Sequence, residues 1–355
     1  MIRKVRSRTY NHNFNTLTGY FEYWGESVDV NPVYCPFGPN ILDIEISSGL
    51  CKGGCKFCYK SNGSHTNKTI NMDLNLFKTV LSKFNLQVLC QVAVGICDID
   101  TNPDMWSIFE HCRSLNIVPN YTCNGLGVTE DIASKTSKLC GAVAVSLVNK
   151  EKSYDAIKKF TDAGMKFVNI HYMLSEQTYE KAFDVLRDIT RDSRLSNMNA
   201  IVFLQYKPKG KGLGFFDPIL NHDKYKNIIE CALANNVSIG FDSCSAPPYL
   251  KHIEKDEDFA DKARCVESCE SGISSGYLNC IGEFYPCSFS ENTLGWETGL
   301  DVSTVKTFRD DIWHHPRVIA WRDMLLKSSS DCNCACKSEC RSCPIYPDIT
   351  SCKKI

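Results

Sequence analysis

The sequence predicts an α/β protein, a partial (β/α)6 TIM-like barrel followed by a Cys-rich C-terminal domain. Two observations carry this. Residues 41 to 242 alternate between short β-branched runs and amphipathic helical windows, the pattern of repeated βα units around a parallel sheet. Beyond Ala246-Pro247-Pro248 that rhythm stops, and Cys, Gly and aromatic turns take over, which places a boundary near 246. The expected division is therefore 1–38, 39–245 and 246–355.

Strand candidates begin near Ile41, Val88, Ile117, Ala142, Phe167, Ala200 and Val237. Between them, Phe77, Val80, Leu81 and Phe84 fall on one helical face, as do Met105, Ile108, Phe109 and Cys112, and later Ile228, Ile229, Ala232 and Leu233. Asn102-Pro103 is expected to cap and open the second helix, and Gly164 to end the fourth. Residues 1–38, with Gly19, Gly25, Tyr20, Phe21, Tyr23 and Trp24, read as a small hairpin or capping arm.

The bulk composition is that of a globular chain: 355 residues, 43% hydrophobic and 23% charged. Its 40 basic and 41 acidic residues are interleaved, and no Lys/Arg stripe follows a phosphate backbone, so nucleic-acid binding is not indicated. No apolar run approaches the roughly 18 residues of a membrane span, and the N-terminus lacks a signal-peptide core. A cytoplasmic monomer with no membrane association is the expectation.

The departure from ordinary composition is 21 Cys. In a reducing cytosol, clustered thiols point to metals and scattered ones to small buried apolar residues. Three lie at 51–58, ten between Cys265 and Cys352, and eight are scattered. Cys51-Lys52-Gly53-Gly54-Cys55-Lys56-Phe57-Cys58-Tyr59 is C-x3-C-x2-C, placed just after the first barrel strand, where βα loops carry chemistry. Three thiolates can hold three irons of a 4Fe-4S cube and leave the fourth iron open. Structural zinc wants four closed ligands, and His65 would be the candidate to complete such a site.

At these residues the sequence resembles the radical S-adenosylmethionine (SAM) superfamily, in a divergent form. The resemblance implies that Cys51, Cys55 and Cys58 hold a 4Fe-4S cluster whose open iron is chelated by SAM. One electron then yields methionine and a 5'-deoxyadenosyl radical that abstracts hydrogen from an unactivated C–H bond, the cofactor carrying the difficult chemistry. It also implies SAM contacts. Asp98, or alternatively Asp100, stands where the family has the Glu of Gly-Gly-Glu-Pro. Asn124-Gly125 resembles the Thr-Asn-Gly turn, and Ser146 resembles the Ser that contacts the SAM carboxylate. The segment 205–212 resembles Pro-x-Gly-Arg, with Lys211 replacing Arg. Tyr59, after the third Cys, joins this SAM-binding set.

Gly282-Glu283-Phe284-Tyr285-Pro286-Cys287-Ser288 resembles the Gly-x-x-Tyr-Pro-Cys turn of the SPASM domain, which implies a SPASM/twitch-like auxiliary-cluster domain and a radical SAM enzyme acting on peptides. By order, the resemblance implies one auxiliary 4Fe-4S cluster on Cys265, Cys269, Cys287 and Cys343. A second would use Cys336, Cys340, Cys352 and either Cys334 or Cys332. Zinc could use the same thiols. A flavodoxin- or ferredoxin-type reductant is expected.

Three functions follow as alternatives: a maturase making a crosslink, thioether, epimer or oxidation on a peptide or protein side chain; the same core acting on a small molecule or nucleotide; or a zinc-stapled interaction protein. Cys97, Cys123, Cys244 and Tyr172, at strand ends, are candidates for a hydrogen donor or radical relay. His171 is a candidate acid or base.

Overall fold

The computed structural model describes residues 1–63, 68–264, 266–293, 295–328 and 340–350. A three-stranded antiparallel meander opens the chain: β1 (Ile2–Val5), β2 (Asn11–Asn15) and β3 (Phe21–Trp24). The barrel region follows as β4 (Ile41–Glu45), the small hairpin β5 (Ser47–Gly49) and β6 (Thr69–Asn71), α1 (Leu74–Leu81), β7 (Gln91–Gly95), α2 (Met105–Ser114), β8 (Val118–Cys123), α3 (Glu130–Leu139) and β9 (Val143–Ser146). It continues with α4 (Lys150–Asp162), β10 (Val168–Leu174), α5 (Tyr179–Ile189), β11 (Ala200–Gln205), α6 (Asp223–Ala234) and β12 (Ile239–Phe241). After it come α7 (Ala246–Ile253), α8 (Phe259–Arg264), β13 (Ser275–Leu278), β14 (Glu283–Tyr285), β15 (Leu300–Asp301), α9 (Pro316–Lys327) and α10 (Pro347–Thr350).

Strands β4 and β7 to β12 are parallel and lie side by side in chain order, as successive βα units require. The barrel is open. On its far side β4 pairs not with β12 but with β13, and β14 and β15 extend that edge antiparallel. The region after residue 246 thus shares the barrel's sheet.

Burial alternates with period two along these strands. In β10, Val168, Ile170, Tyr172 and Leu174 are buried under the helices, whereas Asn169, His171 and Met173 are only half-buried on the concave face. The same split puts Tyr121 and Cys123 under helices and Asn120 and Thr122 on the concave face of β8. A closed parallel sheet would bury both faces. Here the concave face keeps polar groups in reach of water.

The helices form for the expected reasons. Asp73, Thr129 and Asn149 cap α1, α3 and α4 by accepting from the third backbone N–H beyond them. Met105, Ile108, Phe109 and Cys112 are all buried on α2, and Gly164, with φ +86°, closes the turn after α4. Asn102 opens the turn into α2 as expected: its Oδ1 accepts from Asp104 N (2.9 Å) and its O from Met105 N (3.2 Å), while its Nδ2 donates to Ile46 O (2.8 Å) and Met72 O (2.9 Å), just past β4 and β6. Two local expectations are corrected. Leu233 of α6 is 75% exposed, because Tyr225, Ile228 and Ala232 make the buried stripe. Pro247 and Pro248 start α7, in the first turn, where a missing N–H costs nothing.

The N-terminal arm is a full meander. Phe14 packs with Cys90 and Val118, and Tyr10 with Cys35 and Val88, so it covers the amino-terminal ends of β7 and β8. Buried Arg3 fastens it by donating to Leu89 O (2.9 Å), Asn116 O (2.8 Å) and Leu86 O. Toward the other end of the chain, Trp313 donates to Cys35 O (2.7 Å), in the segment between the meander and β4, and Trp321 of α9 to Ser271 O (3.2 Å), just before β13. Gly282, φ +86°, makes the β13–β14 turn, where an added Cβ would lie 3.2 Å from Val80.

Arg3→Met leaves three carbonyls without their donor and is expected to cost about 2–4 kcal/mol. Urea unfolding of the anaerobic chain should show a lower midpoint at unchanged slope, and an unchanged midpoint would refute the role given to Arg3.

Candidate active site

The three-Cys loop leaves β5 at the carboxyl end of the parallel sheet, where loops from neighbouring strands brace it. Asp98, after β7, is 4% exposed, and both its oxygens are used. Oδ2 accepts from Lys52 N at 2.8 Å and Oδ1 from Asn124 Nδ2, after β8, at 2.7 Å. Cys51 Sγ lies 3.9 Å from Asp98 Oδ1 and 3.8 Å from Asn124 Nδ2. Gly53 is required here, since a Cβ would meet Asn124 Nδ2 at 3.0 Å. Of the two carboxylates weighed from sequence, Asp98 meets the loop. Asp100 makes a surface ion pair with Lys52 at 3.0 Å, an interaction worth little to stability.

The segment after β11 holds the other side. Lys211 N donates to Cys58 O at 3.0 Å, and its ammonium donates to Asn62 O at 2.8 Å. Gly210, φ +60°, lies so close that a Cβ would meet Tyr59 O at 2.4 Å and Cys58 O at 2.8 Å. Phe57 packs on Phe216, centroids 5.5 Å apart.

Burial raises the Cys51 thiol pKa, and pushes Cys55 up to about 11 with help from the charges of Cys58 and Cys51. Three thiolates so close that their charges raise one another's pKa need a cation to be held in that form. Three thiols from one loop are the donor set of an iron–sulfur cube with one iron left open, and Cys51, Cys55 and Cys58 are the residues that would hold it. His65 lies outside the described residues.

Tyr59 turns toward the C-terminal hairpin, stacked on Phe289 with centroids 4.7 Å apart at 15°. Beside it lies a buried charge network. Lys60 bonds Glu45 (3.2 Å), Tyr277 Oη (2.6 Å) and Glu291, and Tyr277 Oη donates to Glu45 at 2.9 Å. This network, which sequence reasoning missed, lines a 520 Å³ cavity with Lys209, Cys280 and Asn279. Its only sequence signal is the pair of acids in Ile41-Leu42-Asp43-Ile44-Glu45, where Asp43 and Glu45 share a face of an apolar strand. Burial in turn lowers the Lys209 pKa to about 8, and its ammonium is held by Ser288 O (2.9 Å), Phe289 O (3.1 Å) and Glu291 O (2.9 Å).

The remaining sequence candidates separate. Ser146 ends β9 in register with His171 of β10. His171 is enclosed by protein, and burial lowers its pKa to about 4, with Asp242 opposing. Cys97 is buried with its thiol 3.5 Å from Ser47 O. Cys123, pushed up to about 12 by burial, packs in the helix-facing core. Tyr172 packs there too, with its hydroxyl donating to Thr178 O at 2.7 Å, so neither faces the concave surface. Cys244 lies past β12 in a turn spanning Ser243–Ser245.

Of the auxiliary set, Cys269 and Cys343 are buried and Cys287 follows β14, its sulfur accepting from Phe289 N at 3.4 Å. Cys340 packs with Leu250, Ile253 and Ala263. Cys265, Cys332, Cys334, Cys336 and Cys352 lie outside the described residues.

No family model matches the chain, and no curated protein matches it in sequence. Solved structures match its fold. Streptococcus suis SuiB is 15% identical with a TM-score of 0.64, over 89% of this chain and 76% of that one. SuiB bound to its precursor peptide SuiA gives 15% and 0.67, over 89% and 75%. anSMEcpe with bound AdoMet gives 15% and 0.61, over 89% of each chain. The chain therefore has the fold that these structures share. No helix among the described residues is long and apolar enough to cross a membrane.

His171 supplies a pH test. Its folded pKa lies below the unfolded 6.5, so the unfolded chain binds the proton first and stability falls as pH drops from about 6.5 to 4. His171→Asn should remove on the order of 3 kcal/mol of that acid loss and change little at pH 8. Parallel melts that lose stability equally in acid would contradict this.

Proposed function

We propose that this chain is a radical SAM enzyme that modifies a peptide or protein side chain, with Cys51, Cys55 and Cys58 as the thiolates of its catalytic 4Fe-4S cluster. The observation that carries the reading is the braced loop: three thiols at the carboxyl end of an open parallel barrel, pinned by Asp98 and Asn124 from the next two strands. Such a cluster with SAM supplies reductive cleavage of SAM and abstraction of hydrogen from an unactivated C–H bond.

The chain's own residues do the positioning. Asp98 and Asn124 fix the backbone at Lys52 and stand beside the Cys51 sulfur, orienting it as outer partners of a metal ligand do. Each Asp98 oxygen keeps a lone pair for a further donor, as a SAM ammonium would need. The amide of Lys211 and the close approach of Gly210 hold Cys58 from the other side. Neutral His171 on the concave face can accept or donate a hydrogen bond without adding charge.

Support for a peptide comes from the structural neighbours: SuiB was crystallised with a precursor peptide, and anSMEcpe with a Cp18Cys peptide. The 1590 Å³ cleft between β12 and the meander shares no lining residue with the Cys loop and carries no part of this reading.

The anaerobically reconstituted chain with SAM and dithionite should release 5'-deoxyadenosine. Ala at Cys51, Cys55 or Cys58 should reduce release to background, and Asp98→Asn should reduce it about 10–100-fold. Release unaffected by these changes would sink the reading. A mass change in a candidate peptide tests the substrate class, and deoxyadenosine without any peptide change across candidates would count against it.

A further inference from the structure

A set of buried groups at the junction of barrel and C-terminal region is not used by the catalytic loop. At its centre is Lys207, just past β11, whose side chain is 5% exposed. Its ammonium bonds Asp242 Oδ2 at 3.0 Å and lies near enough to the Cys244 thiol to interact with it electrostatically. It also lies 4.7 Å over the ring of Phe289, the residue whose amide donates to Cys287 Sγ at 3.4 Å. One lysine therefore stands between Cys244 on the barrel side and the Cys287 turn on the other.

The remaining thiols gather at the same place. Cys244 interacts electrostatically with Cys269 and Cys343, and Cys287 with the same two. The turn that carries Cys244 is fixed: Asp242 N donates to Phe203 O (3.0 Å), Ser245 N to Asp242 O (2.8 Å) and Ser245 Oγ to Asp242 Oδ1 (2.7 Å). Cys244, Cys287 and Cys343 each interact with the Lys207 ammonium, and Cys269 with those three thiols, so thiols from four separate stretches of chain lie near one buried charge. Burying a lysine is costly unless its donors find partners, and Asp242 and these thiols are the partners at hand. Sulfur ligands of an iron–sulfur cluster accept such donors, and hydrogen bonds to them set the cluster's potential.

We propose that Cys244 is the fourth thiolate of the auxiliary cluster formed with Cys269, Cys287 and Cys343, taking the place that order along the chain gave to Cys265, with Lys207 donating to its sulfur. The assignment rests on the radical SAM and SPASM reading above. It makes the cluster a bridge between barrel and C-terminal region, because Cys244 belongs to the last barrel turn and the other three do not.

The test uses the full chain with Cys51, Cys55 and Cys58 all changed to Ala, so that all bound iron is auxiliary. Iron and sulfide are counted after anaerobic reconstitution, and EPR spectra are recorded after mild ferricyanide oxidation. A cluster lacking a fourth protein ligand loses its exposed iron and gives a 3Fe-4S signal. Adding Cys244→Ala should produce that signal or the loss of one cluster's iron, whereas Cys265→Ala and Cys280→Ala should not. Cys280 is a control, its charged neighbours being Glu45, Lys60 and Glu291. Cys244→Ser, which preserves packing, should alter the reduced-cluster spectrum while melting like its parent. The assignment is overturned if Cys265→Ala alone produces the signal, if both variants do, or if neither does. A natural chain that takes up no iron and sulfide at all would instead overturn the underlying reading.

Discussion

The buried carboxylate of Asp98 is the constraint on which the active-site region depends. A carboxylate at 4% exposure is stable only if its oxygens are satisfied, and its two partners are a backbone amide of the Cys loop and a side-chain amide from the next strand end. Three loops that follow three different strands are thereby fixed to one point. Gly53 permits the contact and Gly210 closes the far side, so the positions of Cys51 and Cys58 are set by backbone before any cluster is present. Preorganisation of this kind is what a reactive cofactor needs from a protein.

The barrel and the C-terminal region are joined by more than chain continuity. β13 pairs in parallel with β4, the strand that leads into the Cys loop, and Tyr59 stacks on Phe289 two residues past Cys287. Lys60 sits between Glu45 of the barrel and Glu291 of the C-terminal region, and removal of its ammonium would leave two buried carboxylates facing each other. The Cys287 turn and the residues following Cys58 are thus joined by packed and ion-paired groups.

Much of this was legible in the sequence where the signal is local. Short β-branched runs located all seven parallel strands to within three residues, and helical periodicity named the buried face of α2 without error, because each follows from side chains a few positions apart. The Cys loop, Asp98 and Asn124 could be read from spacing and resemblance. What could not be read depends on long-range pairing: the closure of β4 by β13, the meander over the amino-terminal face, and the Lys207–Asp242 pair beside Cys244. Lys207 and Asp242 are 35 residues apart and carry no motif. Cys123 ends β8 as expected, whereas Tyr172 lies inside β10 rather than beyond it, and the side-chain alternation of both strands turns the two residues toward the helices.

The central claim is that the braced loop presents three thiolates to a cluster and leaves one iron for SAM. Electron–nuclear double resonance on the singly reduced, reconstituted chain with SAM labelled by 17-oxygen in its carboxylate and 15-nitrogen in its amine tests it directly. Coupling of both labels to the cluster, lost when Cys55 is changed to Ala, is the predicted result. A reduced cluster that shows no coupling to either label, with all four irons closed by protein, would contradict the account.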